Sequence, residues 1–313
     1  EGLLAPVRYR RLDPNGIDGI MPLGGTILGT TNRGRFAAKV GEGNKAEIPK
    51  GILAEARETF EGLGLGALVC IGGDGSLSTA LQLQKAGIPV VGVPKTIDND
   101  LNATATTFGF DSAVAVVVDA LDRLHTTAKS HKRLMVVEVM GRHAGWIATY
   151  AGLAGGADVI LVPEEPFDIT EVCDRLAARH RRGAEFSIVV AAEGATPREG
   201  TMVVQESTTD EFGHVRLGGI GGRIAEAIEA RTGFESRVTV LGHVLRGGTP
   251  TAFDRVIATR FGLEAADAAH EGDLGVMVAL RGTDVVRVPL ASAVAALKTV
   301  DARLAAAARV FAG

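Results

Sequence analysis

Short apolar runs alternate along this chain with longer stretches in which apolar residues recur every three or four positions. The runs are rich in β-branched residues and predict buried strands, whereas the periodic stretches predict amphipathic helices. The predicted strands are 67–71, 89–93, 134–139, 158–162, 186–192, 238–242, 275–280 and 285–290. The predicted helices are 76–86, 112–129, 144–154, 170–182, 219–232, 252–270 and the Ala-rich stretch 291–311. This alternation predicts an α/β fold with mostly parallel sheets, in which ligands bind outside the carboxyl ends of the strands.

Domain boundaries are less clearly marked than the elements themselves. The segment 193–217 is polar and weakly periodic, and its TTDEFGH stretch predicts a hairpin or a loop. No Pro-rich linker separates two halves of the chain, so two domains would have to share segments that cross between them.

Composition excludes several classes of protein. Hydrophobic residues make up 46% of the 313 positions, which argues against a disordered chain. A net charge of −4 and an aromatic content of 4% argue against a nucleic-acid-binding protein. Two cysteines cannot form a disulfide framework and fit a reducing cytoplasm, no apolar run is long enough to cross a membrane, and the first residues do not resemble a signal peptide.

Glycine is unusually abundant, with 41 residues that cluster after the apolar runs. The first such cluster carries Gly73, Asp74, Gly75 and Ser76 between a predicted strand and a predicted helix. Backbone amides at a helix N-terminus bind anions, and a carboxylate in the same turn suits a Mg²⁺ shared with phosphates. The structural alternative is an ordinary βα turn in which Asp74 caps the helix.

A second polar cluster follows the next predicted strand and carries Lys95, Thr96, Asp98 and Asp100 in the sequence VPKTIDND. The two carboxylates are predicted to lie on one side of an extended segment, with Asn99 between them. One carboxylate would accept a proton from a substrate hydroxyl while the other orients a metal ion. The alternative is a solvated turn rich in Asp and Asn.

Three further clusters follow predicted strands in the second half of the chain. Arg142, in the sequence MGRHAGW, would clamp a phosphate or a developing charge, unless it is a surface residue at a helix start. Glu193 would bind sugar hydroxyls, unless it caps a helix. Arg237, His243 and Arg246 suit a phosphate ester, although His243 alone could be a buried core histidine.

Taken together, GGDGS, PKTIDND, MGRHAGW, the Glu-Gly pair and LGHVLRGGTPTAFDR resemble the 6-phosphofructokinase family in order and spacing. The resemblance spans roughly residues 20–290. It implies two Rossmann-like three-layer domains with mostly parallel sheets and an active site in the cleft between them. It also implies Mg²⁺-dependent phosphoryl transfer to the 1-hydroxyl of fructose 6-phosphate in glycolysis.

The resemblance implies a role for each motif residue. Asp98 would be the general base, beside an acidic partner at Asp100, and Thr96 would meet the transferred phosphoryl group, with Lys95 supplying a cation. Asp74 would hold Mg²⁺ within the donor-binding turn of Gly73, Gly75 and Ser76. The residues implied to bind the sugar phosphate are Met140, Gly141, Arg142, Glu193, His243 and Arg246.

Arg133 and Arg237 match arginines that the family donates from a neighbouring subunit. Arg133 lies at the other end of a predicted strand from Arg142, which a contribution in trans would explain. The resemblance therefore implies a homo-oligomer with shared active sites, and the family's tetramers and allosteric control are expected here, although the sequence leaves dimer versus tetramer open. We expect residues 1–109 with 245–292 to bind the phosphoryl donor, and residues 110–244 with 293–313 to bind fructose 6-phosphate.

The sequence departs from the family pattern at three places. The family opens with a strand and a GGDxPGxN loop, and these residues begin downstream of that segment; a true truncation there is expected to remove a central strand and abolish activity. Asn32 occupies a position where a donor-side arginine is usual, with Arg33 one residue later. Leu245 replaces a common glutamine, which we expect to leave the chemistry unaffected.

The pair Gly75 and Lys95 bears on the phosphoryl donor. In the resembling family an Asp at the first position marks pyrophosphate enzymes, and Gly75 leaves room for the α-phosphate of a nucleotide. Lys95 occurs with either donor. The pair favours ATP, with pyrophosphate as the alternative and a non-catalytic regulatory homologue as a further one. A dehydrogenase is not supported, because no GxGxxG follows a predicted strand.

Overall fold

Two β-sheets, each covered on both faces by helices, make up the computed structural model, which describes residues 1–13, 15–31, 34–36, 47–202 and 219–311. The strands are β1 (Leu68–Gly72), β2 (Val90–Thr96), β3 (Phe108–Gly109), β4 (Leu134–Val139), β5 (Val159–Leu161), β6 (Ser187–Ala192), β7 (Ser236–Val240), β8 (Val276–Arg281) and β9 (Asp284–Pro289). The helices are α1 (Lys50–Gly62), α2 (Asp74–Lys85), α3 (Phe110–His131), α4 (Trp146–Ala154), α5 (Ile169–Arg181), α6 (Ile220–Thr232), α7 (Ala252–Glu271), α8 (Leu290–Ala293) and α9 (Ala302–Phe311). Short 3-10 helices occupy Asn15–Ile17 and Gly242–Arg246.

The first sheet has the strand order β1-β2-β8-β9, with β3 paired to the end of β2. All pairs are parallel except β8–β9, a hairpin in which Arg281 pairs with Asp284. Gly282 adopts φ +59° in the intervening turn, a backbone conformation that glycine adopts without steric cost. The sequence run 275–290 therefore folds back on itself as soon as it completes β8.

Side chains alternate across the first sheet and divide its core in two. Val90 and Met277 pack with Leu77 of α2 on one face, whereas Val91 and Val278 pack with helix α7 on the other. Because both faces of the central strands are buried, β2 and β8 have continuous apolar sequences, whereas Val69 and Ile71 of the edge strand β1 are exposed. This explains why they were predictable from sequence.

The second sheet has the order β5-β6-β4-β7 and is entirely parallel. Leu134 and Val136 face α5 and α6, and Met135 and Val137 face α3 and α4. The predicted α/β class with two three-layer units is confirmed. Because parallel strands end at the same edge of a sheet, the polar turns after β4, β6 and β7 lie side by side.

Three local predictions are wrong. Helix α1 was not predicted, although Ile52, Ala56 and Phe60 recur at helical spacing. The stretch 291–311 is not one helix, because residues 294–301 leave it between α8 and α9 and pair with the chain at Leu101. The strand predicted at 238–242 lies instead at Ser236–Val240, and Gly242 begins a 3-10 helix that contains His243.

The strands of the first sheet come from residues 68–109 and 276–289, and those of the second from 134–240. The division into a donor domain and a sugar domain stays a prediction. Asn32, Arg33 and the predicted TTDEFGH loop lie outside the described residues. In the part of the chain that the structure describes, no helix is long and apolar enough to cross a membrane.

Candidate active site

The turn after β1 packs tightly against the end of β2. A Cβ atom built on Gly73 would lie 3.1 Å from Cβ of Thr96, and one built on Gly72 would lie 2.4 Å from Cβ of Ser76. Glycine is therefore needed at both positions for the turn to close. Gly73 is the N-cap of α2 and Asp74 is its first residue, so the interpretation of Asp74 as the N-cap residue is wrong. The first amide groups of an α-helix have no carbonyl partner within the helix, and such amide groups can bind anions.

The turn after β2 carries the predicted base. Thr96 Oγ1 donates a hydrogen bond to Asp98 Oδ2 at 3.2 Å and accepts one from the Asp98 amide at 3.2 Å. Asn99 has φ +53° and is 1% exposed, and its Oδ1 accepts a hydrogen bond from the Thr107 amide at 3.1 Å. The predicted extended segment is thus a tight left-handed turn, because a buried Asn tolerates this conformation when its side chain is hydrogen-bonded.

Asp100 lies beneath this turn and is mostly shielded from solvent. Burial, together with the negative charges of Asp98 and Asp74, raises the pKa of Asp100 to about 6, against the opposing effects of a backbone hydrogen bond and of Lys298. One oxygen, Oδ1, is buried with no hydrogen-bond partner among the described residues. The three carboxylates of the two turns therefore act on one another and leave an unsatisfied oxygen where a cation or its water could bind.

The second sheet contributes two turns that lock together. The Glu193 amide donates to the Val139 carbonyl at 2.8 Å, and the Gly194 amide donates to the Gly141 carbonyl at 3.1 Å. A Cβ atom on Gly194 would lie 2.1 Å from the Arg142 carbonyl oxygen, so only glycine fits. Arg142 is half-buried and precedes α4, which excludes a simple exposed helix-start position.

Glu193 interacts electrostatically with charged residues from the turns of both sheets. Burial raises the pKa of Glu193, the positive charge of Arg142 opposes this rise, and the charges of Glu138 and Asp98 add to it. Because Asp98 follows the first sheet and Glu193 the second, the carboxyl ends of the two sheets face a common cleft.

The segment after β7 closes one side of this cleft. His243 and Arg246 are both exposed, so the alternative of a buried core histidine is wrong. Arg246 Nε contacts Met140 Sδ at 3.4 Å, and Met140 itself is 8% exposed. The buried methionine therefore contacts the Nε edge of the guanidinium group, while the arginine as a whole stays exposed.

Arg133 and Arg237 lie at the other end of the second sheet, away from the cleft. The strand register pairs Met135 with Arg237, and Glu235 forms ion pairs with Arg133 (2.9 Å) and with Arg237. The six residues of β4 span about 20 Å, so neither arginine is brought to Arg142 within this chain. Glu235 was missed from the sequence, since its pairing depends on the strand register.

The donor-side positions differ in their surroundings. A Cβ atom built on Gly75 meets no described atom within 4 Å, and the residue is exposed. Lys95 is half-buried at the end of β2, where it pairs with Phe108 of β3. The turn therefore has open space on its outer side and a cation on its inner side.

A cavity of about 670 Å³ opens between α1, α2 and the chain at α8. Its lining combines apolar side chains with three basic ones, and Ser78, which lies two residues after the turn, has a buried Oγ without a described partner. The lining residues include Lys50, Leu53, Arg57, Ser78, Leu81 and Lys85. Its size is typical of small-molecule sites. The sequence could not predict it without α1.

Comparison with known proteins decides the family. The family model described as Phosphofructokinase matches residues 1–269. The chain belongs to the phosphofructokinase family. Its motif spacing, interpreted above as a resemblance, is confirmed, and the paired sheets match the fold of that family.

Curated relatives carry two different donors in their names. The chain is 54% identical over 303 residues to the pyrophosphate–fructose 6-phosphate 1-phosphotransferase of Streptomyces coelicolor, covering 96% of the chain and 85% of that relative. It is 52% identical over 302 residues to an ATP-dependent 6-phosphofructokinase of Corynebacterium efficiens, covering 96% and 84%. Phosphofructokinase from Saccharomyces cerevisiae superposes with a TM-score of 0.75 at 28% identity over 91% of the chain, which spans 38% of the yeast chain.

Proposed function

We propose that this chain transfers the terminal phosphoryl group of ATP to the 1-hydroxyl of fructose 6-phosphate, giving fructose 1,6-bisphosphate and ADP in glycolysis. The observation that carries the proposal is the common cleft, in which Glu193 of the second sheet feels both the charge of Asp98 from the first sheet and the charge of Arg142 from its own. A phosphoryl donor and a sugar acceptor need two such half-sites facing each other.

Asp98 is the proposed general base. Its carboxylate accepts the proton of the sugar 1-hydroxyl, the hydroxyl oxygen bonds to the γ-phosphorus, and the bond from that phosphorus to the β,γ-bridging oxygen breaks to release ADP. The hydrogen bond from Thr96 Oγ1 orients Oδ2 of Asp98, which leaves Oδ1 for the substrate. Thr96 and Lys95 are proposed to contact the transferred group from the β2 side.

Arg142 is the proposed charge-stabilising residue. An arginine keeps its positive charge when half-buried, and Arg142 lies close enough to Glu193 for its charge to act on that carboxylate, which suits electrostatic stabilisation of a phosphoryl transition state. We assign Met140, Gly141, Glu193, His243 and Arg246 to the sugar phosphate. The exposed guanidinium group of Arg246, steadied by Met140, suits the 6-phosphate.

Mg²⁺ is the proposed metal ion. In the described part of the chain no group of three or more Asp, Glu, His or Cys side chains forms a metal cage. Mg²⁺ is commonly held by one or two carboxylates together with substrate phosphates and water. Asp74 at the α2 N-terminus would hold it, with the unpartnered oxygen of Asp100 near its water shell, and the ion would neutralise charge on the phosphates.

ATP is the donor that the surroundings of Gly75 support. A nucleotide has to pass the outer side of the turn, where no described side chain intervenes, and the cavity between α1 and α2 offers a place for its nucleoside. Pyrophosphate would leave that cavity empty. Pyrophosphate remains the second candidate, since Lys95 suits either donor and one 54%-identical relative is named for it.

The test is a donor panel. Purified protein with fructose 6-phosphate and Mg²⁺ is supplied with ATP, ADP or pyrophosphate, and the bisphosphate formed is measured with an aldolase-coupled assay. Turnover with ATP that Asp98→Ser abolishes supports the proposal. Turnover with pyrophosphate alone would reassign the donor, and no turnover with any donor would refute the activity.

We also propose a homo-oligomer in which Arg133 and Arg237 of one subunit bind the 6-phosphate in the site of another. Their distance from Arg142 along β4 supports a contribution in trans. A cytoplasmic location is proposed because Cys70 and Cys173 are both free thiols, which suits a reducing compartment.

A further inference from the structure

The residue at the junction of the two sheets is Lys298, which belongs to the irregular segment between α8 and α9. Its ammonium group donates three hydrogen bonds, to Asn99 Oδ1 at 2.9 Å and to the carbonyl oxygens of Thr104 and Ala105 at 3.0 Å each. These acceptors use all three protons of the ammonium group. The ammonium group of Lys298 therefore makes all of its hydrogen bonds to the segment that begins with the Asp98 turn.

The hydrogen bond from Lys298 to Asn99 affects the proposed base, Asp98, because Asn99 is the next residue in the turn. Its left-handed backbone places Asp98 and Asp100 on either side of it, and its buried Oδ1 accepts only from Lys298 and from the Thr107 amide among the described residues. A single L-residue in this conformation needs such support, because the conformation costs about 1–3 kcal/mol without it. Lys298 supplies half of that support from nearly 200 residues away in sequence.

The same lysine contacts the other sheet through Trp146. The indole Nε1 donates to the Lys298 carbonyl at 2.8 Å, and the ammonium group lies 5.0 Å from the centre of the indole ring. Trp146 is the first residue of α4, four positions after Arg142. Two residues beyond Lys298, the Val300 amide donates to Glu164, whose carboxylate also accepts from the Gly145 amide at 3.0 Å.

We propose that Lys298 is a positioning residue that keeps the Asp98 turn of the first sheet and the Arg142 turn of the second in the relative position that catalysis requires. The inference rests on the proposed function of Asp98 and Arg142. Burial lowers the pKa of Lys298 to about 8, with Asp100 opposing the fall, so the ammonium group is largely withdrawn from water where its contacts are strongest. Since Lys298 is committed to protein acceptors, its loss changes geometry and not ligand contacts.

The test compares Lys298→Met with Lys129→Met, an exposed lysine on α3 outside the site. Displacement of a reacting group by about 1 Å costs on the order of 10²-fold in rate. We expect Lys298→Met to lower kcat by about 10²-fold while the KM values for fructose 6-phosphate and the donor change by less than about threefold. Lys129→Met should match the wild type in both.

A second readout does not depend on turnover. Trp146 is the sole tryptophan of the sequence, so its emission reports on this junction alone. The emission maximum should shift in Lys298→Met and stay unchanged in Lys129→Met, without any substrate. An unchanged emission in Lys298→Met would overturn the assigned contact even if the wild type proved inactive with every donor, which would instead refute the proposed function.

If Lys298→Met does not fold, Trp146→Phe tests the same contact from the side of the second sheet. This variant keeps an aromatic ring at the position and removes the Nε1 donor to the Lys298 carbonyl together with part of the ring volume. We expect a fall in kcat with KM retained. A folded variant of either kind with kcat within about twofold of the wild type, or with a loss confined to KM, would overturn the proposal.

Discussion

Gly75→Asp tests how the donor is chosen. The substitution puts a carboxylate beside Asp74 on the outer side of the turn, where a Cβ atom meets no described atom within 4 Å. The residue lies within α2 at ordinary helical backbone angles and not among the positive-φ glycines. The new side chain therefore fits without strain, and its effect on donor affinity is one of charge and occupied volume and not of misfolding.

The magnitude follows from the position of this carboxylate. Two like charges about 4 Å apart repel by about 1 kcal/mol in bulk water and by about 4 kcal/mol at an effective dielectric constant near 20. Because Gly75 is exposed, the repulsion between the new carboxylate and a donor phosphate at this distance lies between these limits, at about 2–3 kcal/mol. At about 1.4 kcal/mol per tenfold, the affinity for ATP should fall on the order of 10²-fold.

The assay is the aldolase-coupled rate at varied ATP and at varied pyrophosphate, with fructose 6-phosphate saturating. Gly75→Asn is the matched control, because it adds nearly the same volume without charge and so isolates the electrostatic part. We expect KM for ATP to rise strongly with Asp and weakly with Asn, and the ratio of pyrophosphate to ATP turnover to increase. An unchanged ATP affinity in Gly75→Asp would refute the reasoning that the nucleotide passes this side of the turn.

Three further predictions address the base, the shared site and the buried acid. Asp98→Ser should lower kcat by about 10²–10⁴-fold with fructose 6-phosphate binding retained by calorimetry, and near-normal turnover would remove Asp98 as the base. Arg133→Ala mixed with Asp98→Ser should regain activity in hybrid oligomers, since one subunit supplies the arginine and the other the base; no recovery after demonstrated subunit exchange would argue against a shared site. The raised pKa of Asp100 predicts that the contribution of this carboxyl group to stability is fully present below about pH 4 and is lost as pH rises through about 6, by about 1.4 kcal/mol per unit of pKa shift. The pH dependence of urea unfolding should therefore lack this contribution in Asp100→Asn. An identical pH slope in Asp100→Asn and wild type would contradict that pKa.

The sequence predicted the parts of this molecule that depend on local patterns. Strands such as β4 and β6 are buried on both faces and form continuous apolar runs, and the polar turns that follow them stand at the sheet edge because parallel strands end there. The motif residues of the cleft could be named for the same reason. Helix α1 also has apolar residues at helical spacing, but no predicted strand directly precedes it to mark a strand–helix unit.

The contacts that join distant segments could not be predicted. Lys298 stands in an Ala-rich stretch that favours helix, yet the segment leaves helical conformation because it pairs with the chain at Leu101 and its ammonium group binds the Asn99 turn. Glu235 joins Arg133 and Arg237 only through the register of β4 and β7. Such pairings are set by tertiary packing, which overrides local propensity.

The path of the chain between the two sheets has a consequence for recombination. The chain passes from the first sheet to the second between β3 and α3, returns between β7 and α7, and crosses again between α8 and α9, where α9 packs on α4. Neither half is therefore encoded by one uninterrupted stretch. A chimaera that exchanges the half built on the first sheet with that of a relative needs one junction in each of these three connections. A chimaera with a single junction would leave the α8–α9 segment packed against an Asn99 turn or an α4 from the other parent.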